Sequence, residues 1–130
     1  MAPGHALGPF RSLGSLEGAV MEIAWSADRP LSVRDVIGRL DPDRRLAYTT
    51  VLTVMDKLRR KGWLLRTTGE GRAHLYAPAE TRDVLAARLM REALGSGADH
   101  HATLAFFVAG IGAEEAQALR GLLDENDPGS

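Results

Sequence analysis

The sequence contains no cysteine. A disulfide framework, a thiolate metal site and a cysteine nucleophile are therefore excluded. That absence fits a reducing compartment, and the cytoplasm is the expected location. No apolar run approaches the roughly 20 residues that span a bilayer, so direct membrane insertion is not expected. The stretch from Met1 to Pro9 lacks the basic and apolar segments of a secretory leader. No glycine loop has the Walker spacing, no Ser-His-Asp set is suggested, and no paired carboxylates have supporting context. Gly69-Glu70-Gly71 reads as a hairpin turn rather than a phosphate cradle. The chain is not expected to be an enzyme, to hold a metal or to carry a cofactor. It also shows no internal repeat.

What is present has globular proportions. The chain has 130 residues, 45% of them hydrophobic and 25% charged, enough for one small domain and an appendage. Its net charge of -1 conceals a segregation. Residues 44–82 hold nine basic side chains (Arg44, Arg45, Lys57, Arg59, Arg60, Lys61, Arg66, Arg72, Arg82) against three acidic ones (Asp56, Glu70, Glu80). Residues 83–130 hold three basic against eight acidic. A positive centre in an otherwise acidic chain suggests a local site for a polyanion.

The order of elements narrows this. Residues 1–12 read as a loose N-terminal arm, residues 13–78 as one domain and residues 79–130 as a helical segment. Leu16, Ala19, Val20, Ile23 and Ala24 recur at helical spacing, predicting a first helix over about 15–26. Ser32 can cap a second helix, with Asp35 in a capping-box position and Val33, Val36, Ile37 and Leu40 as its apolar face. A third helix from Tyr48 to about Lys61 sets Val51, Val54, Met55 and Leu58 on one side, and Thr49, Thr50, Thr53, Lys57 and Arg60 on another. Gly62 stands where a helix end favours a left-handed residue. The period then becomes two. Residues 63–68 and 72–77 predict a β-hairpin ended by Pro78. Three further helices follow: one marked by Val84, Leu85, Leu89 and Ala93, one by Leu104, Phe106, Phe107 and Val108, and one from Ala113 to Asp124.

The fold class is therefore mainly α with a small β-hairpin: a winged helix-turn-helix domain and a C-terminal helical dimerisation segment. Three helices and a hairpin suit duplex DNA, because one helix fits the major groove and its polar side can reach bases and phosphates. The short hydroxyl side chains of Thr49, Thr50 and Thr53 permit close approach to base edges. Lys57, Arg59, Arg60 and Lys61 suit flanking phosphates, with Arg34, Arg45 and Tyr48 at the approach to the helix. Arg72 and His74 stand near the tip of the wing. A winged helix that binds another protein is the alternative reading, and a repressor released by a small ligand or metal is a third.

Several blocks resemble the penicillinase repressor family of BlaI/MecI-like regulators. They are Leu13-Gly14-Ser15-Leu16-Glu17 with Val20-Met21 and Trp25, Val33-Arg34-Asp35-Val36, and Leu46 to Leu58 with Lys61-Gly62. The wing segment Arg72 to Pro78 is similar too. The similarity covers roughly residues 13–125, and Ala47-Tyr48-Thr49-Thr50-Val51 is its most specific part. The resemblance implies a bacterial homodimeric repressor that reads a palindromic operator in double-stranded DNA. It places Thr49, Thr50 and Thr53 where family members contact bases, and Leu52 where some carry arginine. It further implies a membrane-bound sensor protease that cleaves the dimerisation segment, commonly at an Asn-Phe bond. Phe106-Phe107 stands at the matching position, without the asparagine. Copper-responsive relatives use a cysteine motif, which this chain lacks.

The segment after Pro78 is small for an independent core and carries surplus apolar residues. Pairing with a second copy would cover them, and Val84, Leu85, Leu89, Leu104, Phe107, Leu119, Leu122 and Leu123 are the expected contacts. His100 and His101 are adjacent on a helix, about 100° apart, which disfavours a shared metal. Trp25 and Trp63 are expected to anchor the core, and His74 to lie on the wing.

Overall fold

The computed structural model describes residues 15–129. The N-terminal arm expected over residues 1–12 lies outside the described residues. The chain divides into two compact units, one reaching to Leu89 and the other beginning at Met90.

The first unit is built on three helices and a hairpin. Helix α1 spans Ser15–Ser26, α2 spans Val33–Arg39 and α3 spans Tyr48–Arg60. The start of α2 forms the capping box that Ser32 and Asp35 predict. Asp35 N–H donates to Ser32 Oγ at 3.1 Å, and Ser32 N–H donates to Asp35 Oδ2 at 3.0 Å. Both bonds satisfy amides that the helix itself leaves open. The Ser32 amide holds the Asp35 carboxyl below its ordinary value, and Arg29 lowers it further. A 3₁₀ turn over Pro42–Arg44 joins α2 to α3, and Arg45 closes it at φ 47°, a left-handed conformation that side chains resist.

Helix α3 stops at Arg60, with Lys61 as its cap and Gly62 beyond at φ 82°. A glycine is needed there because the reversal into the wing demands a left-handed backbone. Strands β1 (Leu64–Thr68) and β2 (His74–Pro78) pair antiparallel, in register from Leu64 opposite Pro78 to Thr68 opposite His74. The sequence begins both strands too early. Trp63 precedes β1, and Arg72 lies in the 3₁₀ turn Glu70–Arg72 at the tip rather than in β2. Pro78 is the last residue of β2 rather than its breaker, a tolerable place because a strand end needs no further amide donor. Leu31 also bridges Tyr76 in both directions, through N–H···O bonds of 2.9 and 2.7 Å. This contact anchors the wing to the segment between α1 and α2, and no local pattern announces it.

One core unites these elements. Val20, Met21, Leu31, Val36, Val51, Met55, Leu58, Trp63, Leu64 and Tyr76 are buried in it. Trp63 fills the place expected of it, and Trp25 packs half-buried against the same cluster. Leu85 belongs to this core as well and has no exposed surface. It sits on α4 (Arg82–Gly95), whose start is tied to α1. Arg82 pairs with Glu22 at 2.7 Å and lies 5.2 Å from the Trp25 ring, while Trp25 Nε1 donates to the Glu80 carbonyl at 3.0 Å. The expectation that Leu85 faces a second copy is therefore corrected: its side chain is consumed by its own winged unit. Leu89 also packs against that core. Compaction extends past the 78/79 boundary read from the sequence to Leu89, because Leu85 and its neighbours at the start of α4 pack into the winged core.

The second unit holds the end of α4 with α5 (His100–Gly110) and α6 (Ala113–Glu125). Asp99 caps α5, accepting from the Ala102 amide at 3.2 Å. His100 and His101 stand exposed in its first turn. No helix among the described residues is long and apolar enough to cross a membrane.

Candidate nucleic-acid interface

The amphipathic build of α3 fixes which side faces outward. Val51, Met55 and Leu58 recur every three or four residues and are locked into the core. Thr49, Thr50 and Thr53 are thereby held at the surface. Thr53 Oγ1 donates to the Thr49 carbonyl at 2.8 Å, which leaves its lone pairs and methyl group pointing away from the backbone. No side chain caps the start of α3, so its first amides are available to an anion. Tyr48 opens the helix with 44% of its surface exposed, and the Arg34 guanidinium lies 5.3 Å from the centre of its ring.

The charged end of α3 is more structured than its spacing suggests. Asp56 binds Arg59 through Nε at 3.0 Å and Nη2 at 2.7 Å, and also takes Arg60 at 3.2 Å and Arg66 of β1 at 3.7 Å. Arg59 is the leading reason that the Asp56 carboxyl titrates below its ordinary value. Glu17, from α1, takes Lys57 at 2.7 Å and Lys61 at 3.8 Å. Five cations thus converge on two carboxylates, which leaves a net positive surface held in a defined arrangement. Arg34, Arg45 and Arg72 carry no ion pair among the described residues.

At the wing tip Gly71 has φ 75° and Arg72 has φ 68°. The two non-glycine residues with left-handed backbone among those described are both arginines, Arg45 just before α3 and Arg72 on the wing. Each conformation costs roughly 1–2 kcal/mol relative to glycine. His74 is exposed opposite Thr68.

Eleven of the side chains expected to meet DNA are exposed: Arg34, Arg45, Tyr48, Thr49, Thr50, Thr53, Lys57, Arg60, Lys61, Arg72 and His74. They stand on α2, on α3 and its approach, and on the wing. Glu17, Asp56 and Arg66 are additions that the structure supplies, and Arg59, expected at a phosphate, is paired with Asp56. The i, i+3 and i, i+4 spacing of Asp56 with Arg59 and Arg60 could have signalled one cluster. Glu17 meets the lysines only through the packing of α1 on α3.

In the second unit α5 is apolar on all sides beyond Thr103, a composition that a helix in water does not sustain uncovered. Leu104, Phe106, Phe107 and Val108 are 48%, 80%, 47% and 52% exposed, and Leu122 and Leu123 of α6 are 54% and 62% exposed. A cavity of about 360 Å³ opens among Met90, Leu94, Thr103, Leu104 and Phe107. Val84 is exposed on α4, and Leu119 is half-buried.

A helix pair, a third helix with a hydroxyl and cationic outer side, and a paired hairpin define a winged helix-turn-helix DNA-binding protein. The family described as penicillinase repressor matches residues 13–125. The chain is 46% identical over 120 residues to the transcriptional regulator BlaI of Mycobacterium tuberculosis, in strains CDC 1551 / Oshkosh and ATCC 25618 / H37Rv, covering 90% of this chain and 86% of the relative. It belongs to the penicillinase repressor family: it is a dimeric DNA-binding transcriptional repressor and not an enzyme. The fold is also similar to that of MepR, a transcription regulator of the Staphylococcus aureus multidrug efflux pump MepA, with a TM-score of 0.50 at 14% identity over 94% of this chain and 84% of that one.

Proposed function

We propose that the repressor reads a palindromic operator through α3, with Thr49, Thr50 and Thr53 at base edges in the major groove. Arg34, Arg45, Tyr48, Lys57, Arg60 and Lys61 hold the flanking phosphates, and Arg72 and His74 carry the wing onto the adjacent backbone. The observation that supports this most is the division of α3. Its apolar side is committed to the core, so its hydroxyl side is the one presented outward. Two copies related by a two-fold axis present two such helices to two half-sites, about one helical turn apart or a multiple of it.

Pairing runs through the exposed apolar residues of α5 and α6, with Leu104, Phe107, Leu122 and Leu123 at its centre, Leu119 beside them, and Val84 and Leu89 contributed by α4. Release follows cleavage of the Phe106–Phe107 bond by a membrane-bound sensor protease, and the cytoplasm is the site of action. That bond lies inside α5, so its hydrolysis would divide the helix that the dimer needs.

Mobility shifts with a duplex selected from a random pool test the reading. Replacing Thr49 and Thr50 with alanine should cost about 1–3 kcal/mol of discrimination per affected base pair and leave binding to scrambled duplex almost unchanged. Equal operator preference in the variant and the parent protein defeats the assignment. Incubation with membranes bearing the protease, followed by mass analysis, tests the cleavage. Fragments ending at Phe106 support it, and an intact chain refutes it.

A further inference from the structure

The proposed DNA-facing helix is held by a counter-ion from another element. Glu17 lies in the first turn of α1, and its side chain is only 12% exposed. Its Oε1 takes Lys57 Nζ at 2.7 Å and its Oε2 takes Lys61 Nζ at 3.8 Å. The lysines are four residues apart, so their ammonium groups share one side of α3. They remain 51% and 43% exposed, meeting solvent on one side and the carboxylate on the other. A carboxylate that bridges two ammonium groups offers them the chemistry of a DNA phosphate, anionic oxygens that accept charged hydrogen bonds. Glu17 therefore offers the two lysines, from the protein side, the kind of partner that a phosphate would offer from the solvent side. It masks cations whose contacts carry no sequence information, while Thr49, Thr50 and Thr53 stay open.

We propose that Glu17 is an internal stand-in for phosphate on Lys57 and Lys61, and that it limits indiscriminate binding to duplex DNA. The proposal rests on the reading of α3 as the DNA-contacting helix. Attraction to arbitrary DNA is set by the phosphates neutralised, each adding about 0.9 to the slope of log affinity against log salt. Two lysines freed from Glu17 add up to two such contacts.

The test uses the full-length protein and a scrambled duplex, titrated between about 50 and 200 mM salt. Glu17→Gln should tighten that binding by about threefold to tenfold and steepen the salt slope by about one to two. In a Lys57→Gln/Lys61→Gln background the same Glu17→Gln change should leave the slope where it was. Glu17→Asp keeps the charge but withdraws it by one methylene, and should fall between the parent and Glu17→Gln. Thermal melting confirms that each variant is folded, and Glu17→Asp carries the comparison if Glu17→Gln does not fold. An unchanged slope overturns the proposal. So does an equal change in both backgrounds, which makes Glu17 one acidic charge among many. Weaker binding also overturns it, because Glu17 would then be presenting the lysines to DNA. If the parent protein does not prefer its selected operator over scrambled duplex, the DNA-contacting role of α3 fails first, and that result is distinct from a parent that discriminates but whose Glu17 variants do not respond.

Discussion

Truncating Leu85 to alanine separates two accounts of α4. Leu85 is wholly enclosed in the core that also contains Val20, Met21, Met55 and Trp63. The substitution removes about three carbons from that core. Lost burial at about 0.8 kcal/mol per carbon, with the residual cavity added, gives about 3–4 kcal/mol. A unit of this size loses about 4–8 °C of Tm per kcal/mol, so the midpoint should fall by about 12–30 °C. Both tryptophans lie in the winged unit, Trp63 4% exposed and Trp25 half-buried. Their fluorescence during urea unfolding therefore reports that unit. Leu104→Ala, in the second unit, should leave the tryptophan transition in place at saturating protein and weaken dimerisation instead. Leu85 does not belong to the winged core if Leu85→Ala leaves the tryptophan transition untouched and shifts the protein to monomer in sedimentation. That outcome would place Leu85 on the pairing surface and return the start of α4 to the C-terminal segment.

Other perturbations have definite signs. Arg72→Gly relieves a left-handed backbone and should change stability by between zero and about +1 kcal/mol, while operator affinity falls; a variant that loses stability contradicts the wing geometry. Leu104→Asp puts an unpaired charge on the proposed dimer surface and should raise the dimer Kd at least about a hundredfold by sedimentation, with no effect if that surface faces water. The carboxyls of Asp35 and Asp56 both titrate below the ordinary value of 3.8 in the folded protein. Their stabilisation is complete above that value and is lost as pH falls through the depressed folded values. Acid unfolding should accordingly be shallower in Asp56→Asn, and identical acid limbs in the two proteins would contradict the role of Arg59.

The local pattern carried much of this architecture. The spacing of Val51, Met55 and Leu58 is enough to divide α3 into an inner and an outer side, and Ser32 with Asp35 marks the start of α2 because a capping box is a contact within one turn. Contacts between distant segments were less legible. The bridge from Leu31 to Tyr76 depends on how the wing folds back. Glu17 reaches Lys57 and Lys61 only because α1 crosses α3. Leu85 reads as one apolar residue of an amphipathic helix, and periodicity does not say whether a helix side meets its own domain or a partner. Arg72 shifted from strand to turn because its positive φ is a property of the turn that no residue-type preference signals. For arginine, local preference points the other way.

In the proposed complex the threonine side of α3 lies in the major groove. Methylation protection reads it directly, because guanine N7 is exposed in that groove. With an operator selected from random duplex, two symmetric patches of N7 protection are expected, centred about one helical turn or a multiple apart and lost on Thr49→Ala/Thr50→Ala. Protection confined to adenine N3 in the minor groove, or N7 protection that survives the double substitution, would contradict it.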